Sequence, residues 1–198
     1  MARESIRLSI LLLPFAGMSA GASSEITRLI FGSNFTESGP ILAWLISGAV
    51  LHVLVSVNAS ILIAAGRTRF ALLIIGLMVP LAISGHLLMI PALGPVGASM
   101  VTAGAYLAAT IAGSAAVKTT WGLGIPLATL VRSLTIAALA FCVAYWWSTA
   151  GLILVLKLCL ICIAIPLLFY LGGELTNRDL AFIIPGLARK SGANGDHS

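Results

Sequence analysis

Apolar residues run along this chain in six long blocks, at about 5–31, 40–65, 69–92, 96–117, 124–147 and 151–171. The breaks between them, Gly32–Gly39, Gly66–Thr68, Pro91–Pro95, Lys118–Gly124 and Ser148–Gly151, carry glycine, proline or polar side chains, which end helices. Each block is long enough to cross a hydrocarbon core ~30 Å thick as a helix. Strands of a membrane barrel would alternate apolar and polar positions over ~10-residue segments, and these blocks do not. The pattern predicts an all-α integral membrane protein, a bundle of about six transmembrane helices over residues 1–174. A polar tail follows at 175–198, in which "LTNRDLAFII" has the composition of a short interfacial helix.

Inside the blocks the polar residues are patterned too. The second carries Gly48, His52, Ser56 and Ser60, and the fourth carries Thr102, Tyr106, Thr110 and Ser114. Residues four apart share a helix face, so each helix has one polar stripe. Two readings stand: hydrogen bonding between helices, or the lining of a hydrated solute path. His52 lies on such a stripe and His86 does not; the ordinary role of a lone membrane histidine is packing with a hydrogen bond.

Composition agrees with the pattern. Of 198 residues, 60% are hydrophobic and 9% charged, where a soluble domain carries about a quarter charged. Mean hydropathy is +1.10. The net charge of +5 reads as cytoplasmic Lys/Arg that sets orientation, not as a nucleic-acid surface. With six spans, Arg3, Arg7, Arg67, Arg69, Lys118, Arg178, Arg189 and Lys190 fall on one side and Arg28 near the edge of the other. Both termini are therefore expected in the cytoplasm, with "GSNFTESG" outside. A secretory signal at 1–22 is the rival for the first block, from its basic start and Ala20-Gly21-Ala22. The block instead reads as running on without a break through "SEITRLIF". Pro14, Gly17 and Gly21 then suit a kinked, closely packed span whose partner the sequence does not name.

The ionisable residues within blocks are the sharper candidates. Arg132 lies roughly 12 Å into the fifth span, with no acidic residue between Glu37 and Glu174. It is expected to meet a carboxylate, a carbonyl or an anionic ligand. Lys157, near the start of the sixth span, is expected to extend to the interface. Glu25 is the acidic residue at span depth, with Arg28 three residues on as its expected partner. Cys142, Cys159 and Cys162 read as small packing residues, because Cys159-x-x-Cys162 lacks the second ligand pair of a metal site. Enzyme signatures are set aside: Ser47 and Ser84 lack the context of an intramembrane serine nucleophile, and there is no H-E-x-x-H or phosphate loop. No catalytic residue, metal or cofactor is assigned.

Three motifs in order resemble one family. Leu29, Phe31, Gly32 and Phe35 fit a helix ending in Leu-Phe-Gly-x-x-Phe, with Ile30 inside it. Ala64, Gly66 and Arg67 fit Ala-x-Gly-Arg before a cytoplasmic turn, and Ile90, Pro91, Gly94, Gly97 and Ala98 fit Ile-Pro-x-x-Gly-x-x-Gly-Ala. "LGGELTNRDL" is similar to the family's C-terminal close. Over about residues 25–110 the chain resembles Wzx-type polysaccharide flippases of the multidrug/oligosaccharidyl-lipid/polysaccharide exporter superfamily. The resemblance implies the second lobe of a two-lobed transporter in a bacterial inner membrane, moving undecaprenyl-diphosphate-linked oligosaccharide. The implied partners are the bilayer, the lipid-linked oligosaccharide, and a first lobe or second chain. Within that frame Arg132, Arg28 and Lys157 are candidate headgroup contacts, with His52 and Glu25 beside them. Ser56, Ser60, Thr102, Tyr106 and Thr110 are candidate cavity stripes. A cation-coupled multidrug antiporter lobe, which would carry more intramembrane carboxylates, and a non-transporting scaffold are the alternatives.

Overall fold

The computed structural model describes residues 2–122, 126–149 and 151–173. The expected interfacial helix of the tail lies outside them. The described residues form helices and turns: α1 (Ala2–Ile10), α2 (Leu13–Gly21), α3 (Ser23–Phe31), a 3-10 segment (Ser33–Ser38), α4 (Gly39–Ala64), α5 (Thr68–Trp121), α6 (Leu127–Trp146) and α7 (Leu152–Leu171). Among the described residues four helices are long and apolar enough to cross a membrane, and a fifth span arises if the bent N-terminal helices count as one. Many leucines point outward, among them Leu72, Leu77, Leu87 and Leu88. Outward apolar faces on long helices are compatible with a membrane bundle.

The 54 residues of α5 would reach ~80 Å if straight, far more than a bilayer. They do not run straight. Gly94 has φ 58° and ψ −140°, a region that side chains exclude and glycine enters. Pro91 and Pro95 flank it and remove two backbone donors. The arms 68–93 and 95–121 then pack back on each other. A Cβ added at Gly85 would lie 2.6 Å from Val101 Cγ1, where a straight helix would hold the two residues ~24 Å apart. The break falls inside the third motif noted above.

The first apolar block is not one continuous helix. It breaks between α1 and α2 and again at Ala22, where the helices on either side of the break meet at 63°. Pro14 explains the first break, since it cannot donate to Ile10 O. Ser133 of α6 supplies the missing donor: its fully buried hydroxyl reaches Ile10 O at 2.6 Å. A carbonyl freed by proline in an apolar setting is thus satisfied by a hydroxyl from a neighbouring helix.

Close approach also names the partner of Gly17 and Gly21. Added Cβ atoms there would meet Ala137 O at 2.4 Å and Phe141 O at 2.5 Å, so the glycines seat α2 directly on α6. The N-terminal segment is central, with α4 on one side and α6 and α7 on the other. One core joins Leu11, Met18 and Ala22 to Ala140, Ala144, Leu154 and Ile165. A second joins Ile6 and Ile10 to Leu54, Leu62, Ala71 and Val117. The cysteines were expected as packing residues; Cys142, Cys159 and Cys162 are instead exposed on the outer faces of α6 and α7.

Candidate functional site

Two places gather the polar side chains. The first is an open cavity of about 420 Å³ between α4 and the two arms of α5. His52 and Ser56 enter from α4, and Thr102 and Tyr106 from the second arm. Ile75, Met78, Val79 and Ala82 of the first arm make the facing apolar wall. The His52 and Tyr106 rings lie 4.9 Å apart at 57°. Both stripes therefore meet in one groove, in part.

The stripe hydroxyls spend their hydrogens at home. Ser56 donates to His52 O at 3.0 Å, Ser60 to Ser56 O at 2.8 Å and Thr102 to Ala98 O at 3.0 Å. Within the groove Ser56 and Thr102 consequently offer acceptor oxygens, with donors left to His52 and Tyr106. Thr110 is withdrawn altogether. It is buried, its one hydroxyl hydrogen shared between Tyr106 O at 2.8 Å and Leu51 O at 3.2 Å, which makes it a tie between α4 and α5. Ser60 is exposed on α4 and does not line the cavity. Each stripe thus divides between the two uses the sequence left open.

Asn58 belongs to the same tie and was not singled out by the stripes. It is 3% exposed, and its amide donates to Ser114 Oγ at 3.1 Å and Thr110 O at 3.5 Å. Gly113 makes room for it, since a Cβ there would stand 3.0 Å from Asn58 Cβ. Asn58 sits two residues from both Ser56 and Ser60, on another face of α4 from the four-residue rhythm. Its one signal was being an amide in an apolar block.

The second place is ionic. Lys157 was expected to extend outward; it is 1% exposed. Its ammonium is 2.5 Å from Glu25 Oε2 and also donates to Ala144 O at 2.9 Å and Trp147 O at 2.6 Å. All three protons of the ammonium have acceptors. The two carbonyls are at the C-terminal end of α6, where a cation is favourable. Glu25 Oε1 accepts the Thr149 backbone N–H at 2.6 Å. The partner of Glu25 is therefore Lys157, and not Arg28 as spacing alone suggested. Arg28 reaches across to Thr149 O at 3.5 Å and is exposed.

Arg132 does not enter the 420 Å³ cavity. It is exposed in a groove between α6 and α7, donating to Gly172 O at 2.9 Å. Gly172 is the C-cap of α7. A carbonyl, one of the three kinds of partner the sequence allowed, is among those the structure supplies. The α6–α7 hairpin is thus closed by reciprocal cations: Lys157 of α7 caps α6, and Arg132 of α6 caps α7. Among the described residues no group of His, Cys, Asp and Glu is placed to hold a metal ion.

Comparison with protein-family models, with curated proteins and with solved structures gives no match.

Proposed function

We propose that the chain is one lobe of a flippase that carries lipid-linked oligosaccharide across a bacterial inner membrane, a second lobe or second chain supplying the facing wall. The observation that carries this reading is the groove between α4 and α5, largely apolar with four polar side chains on one wall. It sets His52, Ser56, Thr102 and Tyr106 against Ile75, Met78 and Val79, a lining suited to sugar hydroxyls on one wall and isoprenoid on the other. The groove has no Lys or Arg, so the diphosphate is met elsewhere. The three motifs that resemble Wzx-type flippases support the reading. Their glycines lie at the end of α3 (Gly32), in the α4–α5 turn (Gly66) and at the α5 break (Gly94). A cation-coupled antiporter lobe has less support, because Glu25, the carboxylate at span depth, is already paired with Lys157.

Photocrosslinking tests the reading. Tyr106 is replaced by p-benzoylphenylalanine in the full chain, expressed in cells that make polyprenyl-diphosphate glycan. Leu72, on the outer face, is replaced in the same way as a control. The expected result is a glycan-bearing adduct at position 106 and only phospholipid adducts at 72. Phospholipid adducts at both positions would sink the flippase reading and favour a scaffold.

A further inference from the structure

We infer that a second pocket, at Arg28, binds the phosphate of a lipid headgroup. The pocket measures about 220 Å³ and is lined by Gly21, Ser24, Glu25, Arg28, Thr36, Tyr145 and Ser148. This inference stands on that geometry and holds whether or not the chain is a flippase lobe.

Charge decides the ligand class. The Glu25 carboxylate is engaged on both oxygens, by Lys157 Nζ and by the Thr149 N–H. Glu25 and Lys157 cancel, which leaves the Arg28 guanidinium as the net charge of the cluster. Arg28 makes one long contact of 3.5 Å to a carbonyl, and a guanidinium has five N–H donors. Most of that donor capacity faces an open pocket. Among the residues lining the pocket a cationic ligand would find no unengaged carboxylate, whereas an anion finds a planar fork that matches phosphate oxygens.

The hydroxyls point the same way. Among the described residues, Ser24, Tyr145 and Ser148 make no hydrogen bond through their hydroxyls. Thr149 Oγ1, next in the chain, is buried with no partner. A cation beside three hydroxyls that no protein acceptor engages is a donor set that suits a phosphate. Thr36 is the exception, its hydroxyl donating to Ser33 O at 2.8 Å.

Position narrows the phosphate to a lipid's. Beside the pocket, Phe31, Phe35, Tyr145 and Trp147 are exposed, and Trp146 is 86% exposed. Exposed aromatic residues at the ends of apolar helices mark headgroup depth. Two phosphates occur at that depth: the phosphodiester of a bilayer lipid and the diphosphate of a lipid-linked cargo.

Titration calorimetry on the purified full chain in a neutral detergent separates them. The probes are geranyl diphosphate, dihexanoylphosphatidylglycerol and uncharged geraniol. The expected result is binding of at least one phosphate probe and none of geraniol. Arg28→Ala should weaken it about tenfold or more, equivalent to ~1.4 kcal/mol, and Arg28→Lys by less. Ser148→Ala, a smaller change, should weaken it about three- to fivefold, the loss of one hydrogen bond. Tighter binding of the diphosphate assigns the site to a cargo; equal binding assigns it to bilayer lipid, keeps the phosphate site and removes its support from the export reading. Geraniol binding as tightly as the diphosphate, no binding of either phosphate, or unchanged binding in both Arg28→Ala and Ser148→Ala would overturn the site.

Discussion

At the scale of single residues, the buried charges act as structural ties. Lys157 has a carboxylate and two helix-end carbonyls around it, so removing either member of the pair leaves the other without its opposite charge. Breaking such a pair costs about 3–5 kcal/mol, while replacing both members by neutral groups costs far less. Glu25→Gln and Lys157→Met should each lower the thermal unfolding midpoint in detergent. The combined variant should recover much of the loss, a coupling of at least ~1 kcal/mol in a double-mutant cycle. Simple additivity would refute the tie. Glu25, Lys157 and Arg132 were visible in the sequence as charges out of place, but their partners were not. Lys157 and Glu25 stand 132 positions apart, and Arg132 and Gly172 stand 40 apart. Such pairings arise from helix packing, which local spacing does not encode. Arg28 and Glu25 are near in sequence, and that proximity misled, because Glu25 already has a buried ammonium opposite it.

At the scale of elements, the sequence was most informative where the chain changes direction. Gly and Pro act through the backbone of their own residue, so their effect is readable locally; the breaks at Gly32, Gly66 and Gly94 follow from them. What the sequence left out was the degree of breakage in the N-terminal segment. Pro14 announced the break after α1, but not that Ser133 of α6 would donate to the carbonyl it frees. Asn58 escaped notice for a similar reason: its role exists only once Ser114 and Gly113 are opposite. The Gly94 break gives an element-scale prediction. An alanine there must hold φ 58° and ψ −140°, at a cost of roughly 1–3 kcal/mol. Gly94→Ala should loosen the two arms of α5 with little effect on the α6–α7 hairpin. Cysteines placed at Gly85 and Val101, in a background with the native cysteines replaced by alanine, should form a disulfide readily when Gly94 is kept and several-fold more slowly in Gly94→Ala. Equal rates would show that the flanking prolines alone fix the turn.

For the whole molecule, the decisive property is alternation. α3 begins at the same end of the bundle as the α4 start, since Gly39 packs on Ser24. The α6–α7 turn joins that end, because Thr149 receives Arg28 and donates to Glu25. Trp146 and Trp147 sit there too. The opposite end holds Arg67 against Phe70, with Lys118 and Trp121 at the close of α5. Aromatic residues thus occupy both ends, while Arg67, Arg69 and Lys118 gather at one. An excess of Lys and Arg marks the cytoplasmic side of short loops. The end bearing Thr36 should then face outward and the end bearing Thr68 inward. Cysteine labelling in intact cells checks this, again with Cys142, Cys159 and Cys162 replaced by alanine, which their exposed positions tolerate. Thr36→Cys should react with a membrane-impermeant maleimide in intact cells, and Thr68→Cys only after permeabilisation. The reverse pattern would invert the chain, move the Arg28 pocket to the inner headgroup layer, and reassign which leaflet supplies its phosphate. Labelling of both positions from outside would mean that α4 does not cross, and the groove between α4 and α5 would lose its place within the bilayer.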